Sequence, residues 1–257
     1  MSGFYIGVDG KARKIKGGYI GIDGKARKIK KGYIGVDGVA RLCWSDVDPV
    51  FANNSWEEIA VACQNGNVPD SWAVGDQKTM TIGGNDYTID IIGKNHDDYA
   101  DGSGKAPLTF QLHECYKTNY PMHTSGTNNG GWLNCAMRNT YLPSILKLMP
   151  TEIQNAIREI TKKTSIGNNS STISTTAEKL FLLSEVELFG KNTYSKNGEG
   201  EQYPYYVNNT KVKSTSTPWL LRSPDNTTYG YCAVYTSGVV STWTADSSGG
   251  VSFAFCF

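Results

Sequence analysis

Residues 219–257 read WLLRSPDNTTYGYCAVYTSGVVSTWTADSSGGVSFAFCF. Apolar runs bracket the stretch, while Tyr229, Tyr231, Tyr235 and Trp243 are scattered among Asn, Thr, Ser and Gly. Short strand-like segments fall at 219–221, 231–235, 238–242 and 251–257, too broken by polar residues for uninterrupted buried strands. Tyr and Trp offer large contact area at small entropic cost, and Ser, Asn and Gly offer adaptable hydrogen bonds, the composition of a binding face. The alternative is a set of ordinary strands joined by polar loops, with Tyr231 and Tyr235 packed inward. Residue by residue the two readings stand level; the clustering favours display.

Upstream, TMTIGGNDYTIDIIGKNHDDY from Thr79 reads as a hairpin with Tyr87, Ile89 and Ile91 on one face. GGWLNCAMRNTYLPSIL predicts one core-facing helix. PTEIQNAIREITKKT predicts a second, with Pro150 and Thr151 at its start, a stripe of Ile153, Ala156, Ile157 and Ile160, and Lys162 and Lys163 at its end. EKLFLLSEVELFG is a buried strand or a strand passing into a short helix; periodicity leaves both open. Residues 190–216 lack apolar periodicity and read as a long surface loop, either functional or disordered.

The N-terminus holds three tandem copies with a period of 14: GFYIGVDGKARKIK from Gly3, GGYIGIDGKARKIK from Gly17 and KGYIGVDGVARLCW from Lys31. Each joins a β-prone run to an alternating one through Asp-Gly, a type I′ hairpin signal that predicts tips at Asp9-Gly10, Asp23-Gly24 and Asp37-Gly38. Lone hairpins are marginal in water, so the copies must stack on one another or on other chains. Residues 1–42 carry ten Lys and Arg against three Asp, the remainder 15 basic against 21 acidic residues. Lys alternating with apolar residues is the solvated, pairing-resistant face of a strand, a simpler reading than a nucleic-acid grip. In NNSWEEIAVACQNG, Ser55, Glu58 and Gly66 supply a capping box and a stop for a connecting helix. Three parts follow: a hairpin stalk at 1–44, a connecting helix and linker at 45–78, and a main domain at 79–257. The fold class expected is α+β.

The order of TIGGNDYTIDIIGKNHDD, ADGSGKAPLTFQ, GGWLNCAMR, KLFLLSEVE, WLLRSP and GGVSFAF resembles an uncharacterised domain family of gut bacteria and their phages, over roughly residues 52–257. That family in turn is similar to the C-type lectin fold of the formylglycine-generating-enzyme branch, used by variable proteins of diversity-generating retroelements. The repeats resemble those on phage structural proteins. The family's usual ending is Gly-Val-Arg-Pro-Ala-Phe, whereas this chain has Ser252 and Phe253 where Arg and Pro are expected. The resemblance implies a C-type-lectin-like head with two helices and short antiparallel strands, in which Trp219, Leu220, Arg222, Ser223, Pro224, Val251, Phe253 and Phe255 are scaffold. It implies a displayed set of Asp225, Asn226, Thr227, Thr228, Tyr229, Tyr231, Tyr235, Ser241, Trp243, Thr244, Asp246 and Ser247.

Three histidines, and the lack of Gly-x-Ser-x-Gly, His-Glu-x-x-His or a phosphate loop, leave little for an active site. Six cysteines without CxxC spacing argue against zinc and for free, mostly buried thiols. An oxidase on the same scaffold would need two close, reactive cysteines, for which Cys232 and Cys256 are the candidates. Asp97, Asp98 and Asp101 lack EF-hand spacing and read as an Asx-rich turn rather than a calcium loop. The expectation is a non-enzymatic receptor- or ligand-binding protein without metal or cofactor, binding a host-surface protein or glycan; the alternatives are that oxidase or a purely structural part of a virion or cell surface. Its residues 1–44 would join copies of itself, a trimer by fibre logic, or dock to a larger particle. With no signal peptide and no apolar run of membrane-spanning length, it is expected to be made in the cytoplasm and to sit on a virion, as in a phage tail, or on a bacterial surface.

Overall fold

The computed structural model describes residues 5–8, 10–14, 18–208 and 216–257. Asp9 of the first predicted turn and residues 209–215 of the predicted long loop lie outside the described residues. The chain divides into two compact units, Met1–Ala73 with Phe257, and Val74–Cys256.

The first unit opens with three separate two-stranded antiparallel sheets: β1 (Tyr5–Val8) with β2 (Lys11–Lys14), β3 (Gly18–Ile22) with β4 (Lys25–Ile29), and β5 (Lys31–Val36) with β6 (Val39–Ser45). Asp23 and Gly24 have φ of 52° and 72°, and Asp37 and Gly38 have 52° and 76°, the doubly positive backbone of a type I′ turn. Helix α1 (Trp56–Asn65) starts on the predicted capping box, with the Glu58 N–H donating to Ser55 Oγ at 3.2 Å and the Ser55 N–H donating to Glu58 Oε2 at 2.8 Å. It ends at Gly66 in the left-handed region. The same Glu58 receives Ser45 Oγ at 3.2 Å and Lys31 Nζ at 3.0 Å, and Asn65 donates to the Cys43 carbonyl at 3.0 Å, so α1 is bound to the third hairpin. Phe51 makes edge contacts with Trp56 and Trp72, and Phe257 meets Trp56 edge-on at 6.1 Å.

The second unit is α+β: small antiparallel sheets with short helices between them. One sheet has the order β15-β9-β8-β7, built from β7 (Gln77–Ile82), β8 (Asn85–Lys94), β9 (Leu108–Leu112) and β15 (Ala254–Cys256). A hairpin joins β10 (Ile160–Ser165) to β11 (Ile173–Glu178), and a three-stranded sheet is formed by β12 (Trp219–Pro224), β13 (Gly230–Val234) and β14 (Val240–Thr244). The helices are α2 (Gly131–Asn134), α3 (Leu142–Leu146), α4 (Thr151–Ala156), α5 (Glu185–Phe189) and α6 (Pro204–Asn208), with a π-helical turn over Met137–Tyr141.

Three expectations are corrected. The pair of helices expected in the head is instead a series of short ones, and the helix predicted from Pro150 stops at Ala156. Ile157 is extended (ψ 125°), and Ile160–Ser165 is a strand in which Ile160, Lys162 and Thr164 point inward. A stripe of Ile153, Ala156, Ile157 and Ile160 satisfies the helical period up to Ala156; the alternation that follows is hidden because the inward position at 162 holds a lysine. Residues 190–203 are irregular and mostly exposed, as a surface loop should be, but 204–208 form α6 and the segment is anchored from inside: Glu199 and Tyr203 are fully buried and Tyr205 and Tyr206 nearly so. Their burial depends on polar partners inside the unit, which apolar periodicity does not register.

Those partners are ionic. Arg222, with no exposed surface, donates through Nη1 and Nη2 to both oxygens of Glu187, through Nε to Thr164 Oγ1 (3.0 Å), and to the carbonyls of Leu182 (2.8 Å) and Glu199 (2.8 Å). Lys162 Nζ donates to Asp97 Oδ1 (2.5 Å), Glu187 Oε1 (2.9 Å) and Tyr203 OH (2.7 Å). Thr109 Oγ1 donates to Asp97 Oδ2 at 2.5 Å. Burial drives the Asp97 and Glu187 carboxyls upward, but Lys162 beside both and Arg222 beside Glu187 overcome it and hold each below its ordinary value. Removing one partner of such a cluster strands a buried charge. Arg222→Met should therefore lower the stability of the second unit by about 3–5 kcal/mol in urea unfolding, and Arg222→Lys should not restore it, because an ammonium cannot reproduce the forked contact with Glu187.

Candidate ligand-binding face

The three-stranded sheet carries the predicted face, and its frame is buried: Trp219, Leu220, Arg222, Ser223, Pro224, Val251, Phe253 and Phe255 are all inaccessible. On the face of β13 and β14 that holds Tyr231 opposite Trp243 and Ala233 opposite Ser241, the small pair Ala233 and Ser241 leaves room for the rings on either side. Tyr235 and Trp243 lean over that gap and meet edge-on, their centroids 6.2 Å apart. Tyr235 and Tyr229 are exposed and Trp243 is half-buried, its indole N–H donating to the Ser247 carbonyl at 3.2 Å. Asn226, Thr228, Thr244 and Asp246 are exposed, and Thr227, Ser241 and Ser247 half-buried.

Two expected display residues belong to the frame instead. Tyr231 is fully buried, its hydroxyl donating to the Gly131 carbonyl at 3.1 Å, and Asp225 is 2% exposed. Asp225 Oδ1 accepts from the Thr227 N–H (2.9 Å) and hydroxyl (2.5 Å), an Asx turn that shapes the loop from which Tyr229 projects. Burial of both faces of β13 decides the Tyr231 case, whereas Tyr235 lies beyond the strand and is exposed.

A second segment supports the face. Asn128, fully buried, donates through Nδ2 to the carbonyls of Thr227 (3.0 Å) and Gly230 (2.7 Å), its own N–H donates to the Thr228 carbonyl (3.0 Å), and its Oδ1 accepts from the Asn168 N–H (2.7 Å). The His123 N–H donates to the Ala245 carbonyl at 2.8 Å. Thr124, Ser125 and Asn129 of this HTSGTNN segment are exposed beside the tip at 225–229. The segment has the same Ser, Thr, Asn and Gly composition as the C-terminal loops, the one signal by which sequence could have joined them.

Other candidate chemistry is dispersed. Asp97 turns inward to Lys162, Asp98 pairs with Lys105 at 3.4 Å, and Asp101 pairs with Arg158 at 2.6 Å, so the three aspartates do not converge. Cys232 lies on the three-stranded sheet beside Glu185, and Cys256 on the four-stranded sheet beside Asp97. Burial pushes both thiols well up from their ordinary value, opposite to the shift a reactive thiolate needs. A polar cavity of about 180 Å³ is lined by His96, Asp97, Lys105, Lys162, Glu187 and Glu201, but its buried charges are spent on one another. Among the described residues, no helix is long and apolar enough to cross a membrane, and no group of three or more His, Cys, Asp or Glu side chains converges as a metal site.

An α+β domain with an exposed aromatic and hydroxyl face on a buried three-stranded frame is thus defined. The chain belongs to the DUF6273 family, a domain of unknown function, whose model matches residues 107–257. No curated protein and no solved structure matches the chain.

The strap over residues 190–208 is fixed by Glu199, whose Oε1 accepts from the Ser165 N–H (2.8 Å) and whose Oε2 accepts from Ser223 Oγ, with Arg222 and Glu187 as its charged neighbours. Burial raises this carboxyl from 4.5 to about 7 despite those hydrogen bonds. The folded state therefore keeps a proton that the unfolded state releases, and stability falls as pH rises from 4.5 to about 7. Asp97 and Glu187, held low, act oppositely and lose their contribution as pH falls through their folded values. Urea midpoints should peak near about pH 5, and Glu199→Gln should flatten the decline above that pH while leaving the acid limb in place.

Proposed function

We propose that the second unit is a non-enzymatic binding head that presents Tyr229, Tyr235 and Trp243, with Asn226, Thr228, Thr244 and Asp246, to a protein or glycan on a host surface. The observation that carries this reading is the Tyr235–Trp243 pair held above Ala233 and Ser241. Two large rings stand at the solvent boundary of a sheet whose β12 and β13 are buried along their whole length, and polar loops surround them. Aromatic anchors ringed by adaptable hydroxyl and amide groups are the composition of binding hot spots. The finer assignment belongs to the same proposal: a C-type-lectin-like head of the retroelement-diversified kind, in which the loop residues vary while Trp219–Pro224 and the closing strand stay fixed. The order of sequence motifs supports it, and so does the division between a buried frame and exposed loops. Carried on a virion or a bacterial surface by the hairpin segment, several weak heads acting together would bind by avidity.

The test is a triple variant, Tyr229→Ala, Tyr235→Ala and Trp243→Ala, compared with the unaltered chain on immobilised bacterial surface glycans and envelope proteins. Binding should fall at least about 30-fold. Unfolding should stay cooperative, with a loss of about 1–2 kcal/mol that comes mainly from half-buried Trp243. A collapse of stability, or retained binding, would assign these rings to the core or the ligand to another surface.

A further inference from the structure

The hairpin repeats hold an asymmetry that the head does not explain. In each repeat the strand before the turn is uncharged in its body (YIGV, GYIGI, and GYIGV of β5), and the strand after it is basic (KARK, KARKI, VARLC). Lys31 at the start of β5 is paired with Glu58. Of the exposed large apolar residues of these hairpins, Tyr19, Ile20, Ile22, Tyr33 and Ile34, between 42% and 69% exposed, lie on the uncharged strands, against Val39 alone on a basic one, next to its turn. Among the described residues, no further strand pairs with β3 or β5 beyond its own hairpin partner. Natural proteins protect free edges with lysine; here only one of the two edges of each hairpin is so protected.

Gly21 and Gly35 add an independent observation. Each sits inside a strand, neither has a positive φ, and a Cβ built on either would meet nothing within 4 Å. Glycine inside a strand weakens it and marks a place where another chain approaches closely. Among the described residues, none lies close enough to call for these two.

We propose that a second copy of this chain adds antiparallel along the uncharged strands, giving a closed twofold assembly. The pattern Gly-Tyr-Ile-Gly-Ile is self-complementary in that arrangement. Centred on Ile20, it sets Ile20 opposite the partner's Ile20, Tyr19 opposite the partner's Gly21, and Gly18 opposite the partner's Ile22; β5 repeats the same arrangement about Ile34. Each ring then lies across the glycine opposite, a pairing that compensates strand glycines. The product is a four-stranded sheet, large enough to be stable where a lone hairpin is not, with basic strands on both outer edges. Like charges facing one another across those edges oppose further growth, so the assembly closes at two copies instead of extending as a fibre. This inference rests on reading the hairpin segment as a self-association module, and it replaces the threefold expectation.

The test is the mass of the full-length chain by light scattering and sedimentation. The unaltered chain should be dimeric. Ile20→Lys with Ile34→Lys, both at exposed positions, should give a monomer with an unchanged melting transition of the head, because each lysine would face its own copy. Ile20→Glu with Ile34→Glu should also be monomeric, and mixing the two variants should restore the dimer. A trimeric unaltered chain, a lysine variant that keeps its assembly, or a mixture that fails to pair would overturn the edge assignment while leaving self-association standing in the first two cases. A monomeric unaltered chain would overturn both.

Discussion

The second unit is organised by one buried ionic cluster, Arg222–Glu187–Lys162–Asp97. Its members come from β12, α5, β10 and the turn after β8, so no single sheet or helix owns it. Glu187 works twice: it closes the capping box that starts α5, accepting the Ser184 N–H at 3.0 Å, and it neutralises both cations. Such clusters are poor sources of net stability but strong constraints on which arrangement is formed, since a displaced strand would leave a charge without a partner in a dry interior. For a unit whose described residues form small sheets and helices of at most six residues, that constraint does what long elements do elsewhere.

The proposed binding face depends on that constraint. Arg222 and Ser223 fix β12 from inside, β13 pairs with β12, and β14, which carries Ser241 and Trp243, is held through β13. Asn128 closes the other side by satisfying three carbonyls of the 227–230 turn. Loop residues between these anchors can change identity without removing a hydrogen bond that the frame requires, the physical condition for variation at Asn226, Thr228 and Tyr229. Asp225 and Tyr231 are outside that freedom because their side chains complete the frame.

What sequence revealed and what it concealed follow the range of the forces involved. Turn chemistry and capping act over a few residues, so Asp-Gly turns, the Ser55–Glu58 box and the Gly66 stop could be read directly. The display set drawn from composition held Tyr229 and Tyr235, which are exposed, together with Tyr231 and Asp225, which are buried, so composition marked the region and not the residue. By contrast, Lys162 looks like the charged end of a helix until Asp97 and Glu187, far away in the chain, are seen beside it. The 190–208 strap reads as solvent-facing until Glu199, Tyr203 and Tyr206 find Ser165, Lys162 and Gln111. Polar residues buried by long-range partners carry no local signature, and they account for the misplaced helix end and for the unforeseen anchors of the loop.

The edge contact between Trp56 and Phe257 has a consequence for synthesis. The first unit's aromatic cluster forms early in the chain, but one of its rings is supplied by a residue that leaves the ribosome after the whole second unit. Synthesis from the N-terminus can therefore produce the hairpins and α1 first, yet the Trp56–Phe257 contact can form only after the residues of the second unit have been made. Until then Trp56 lacks that edge contact, so the first unit's aromatic cluster joins residues made at widely separated times.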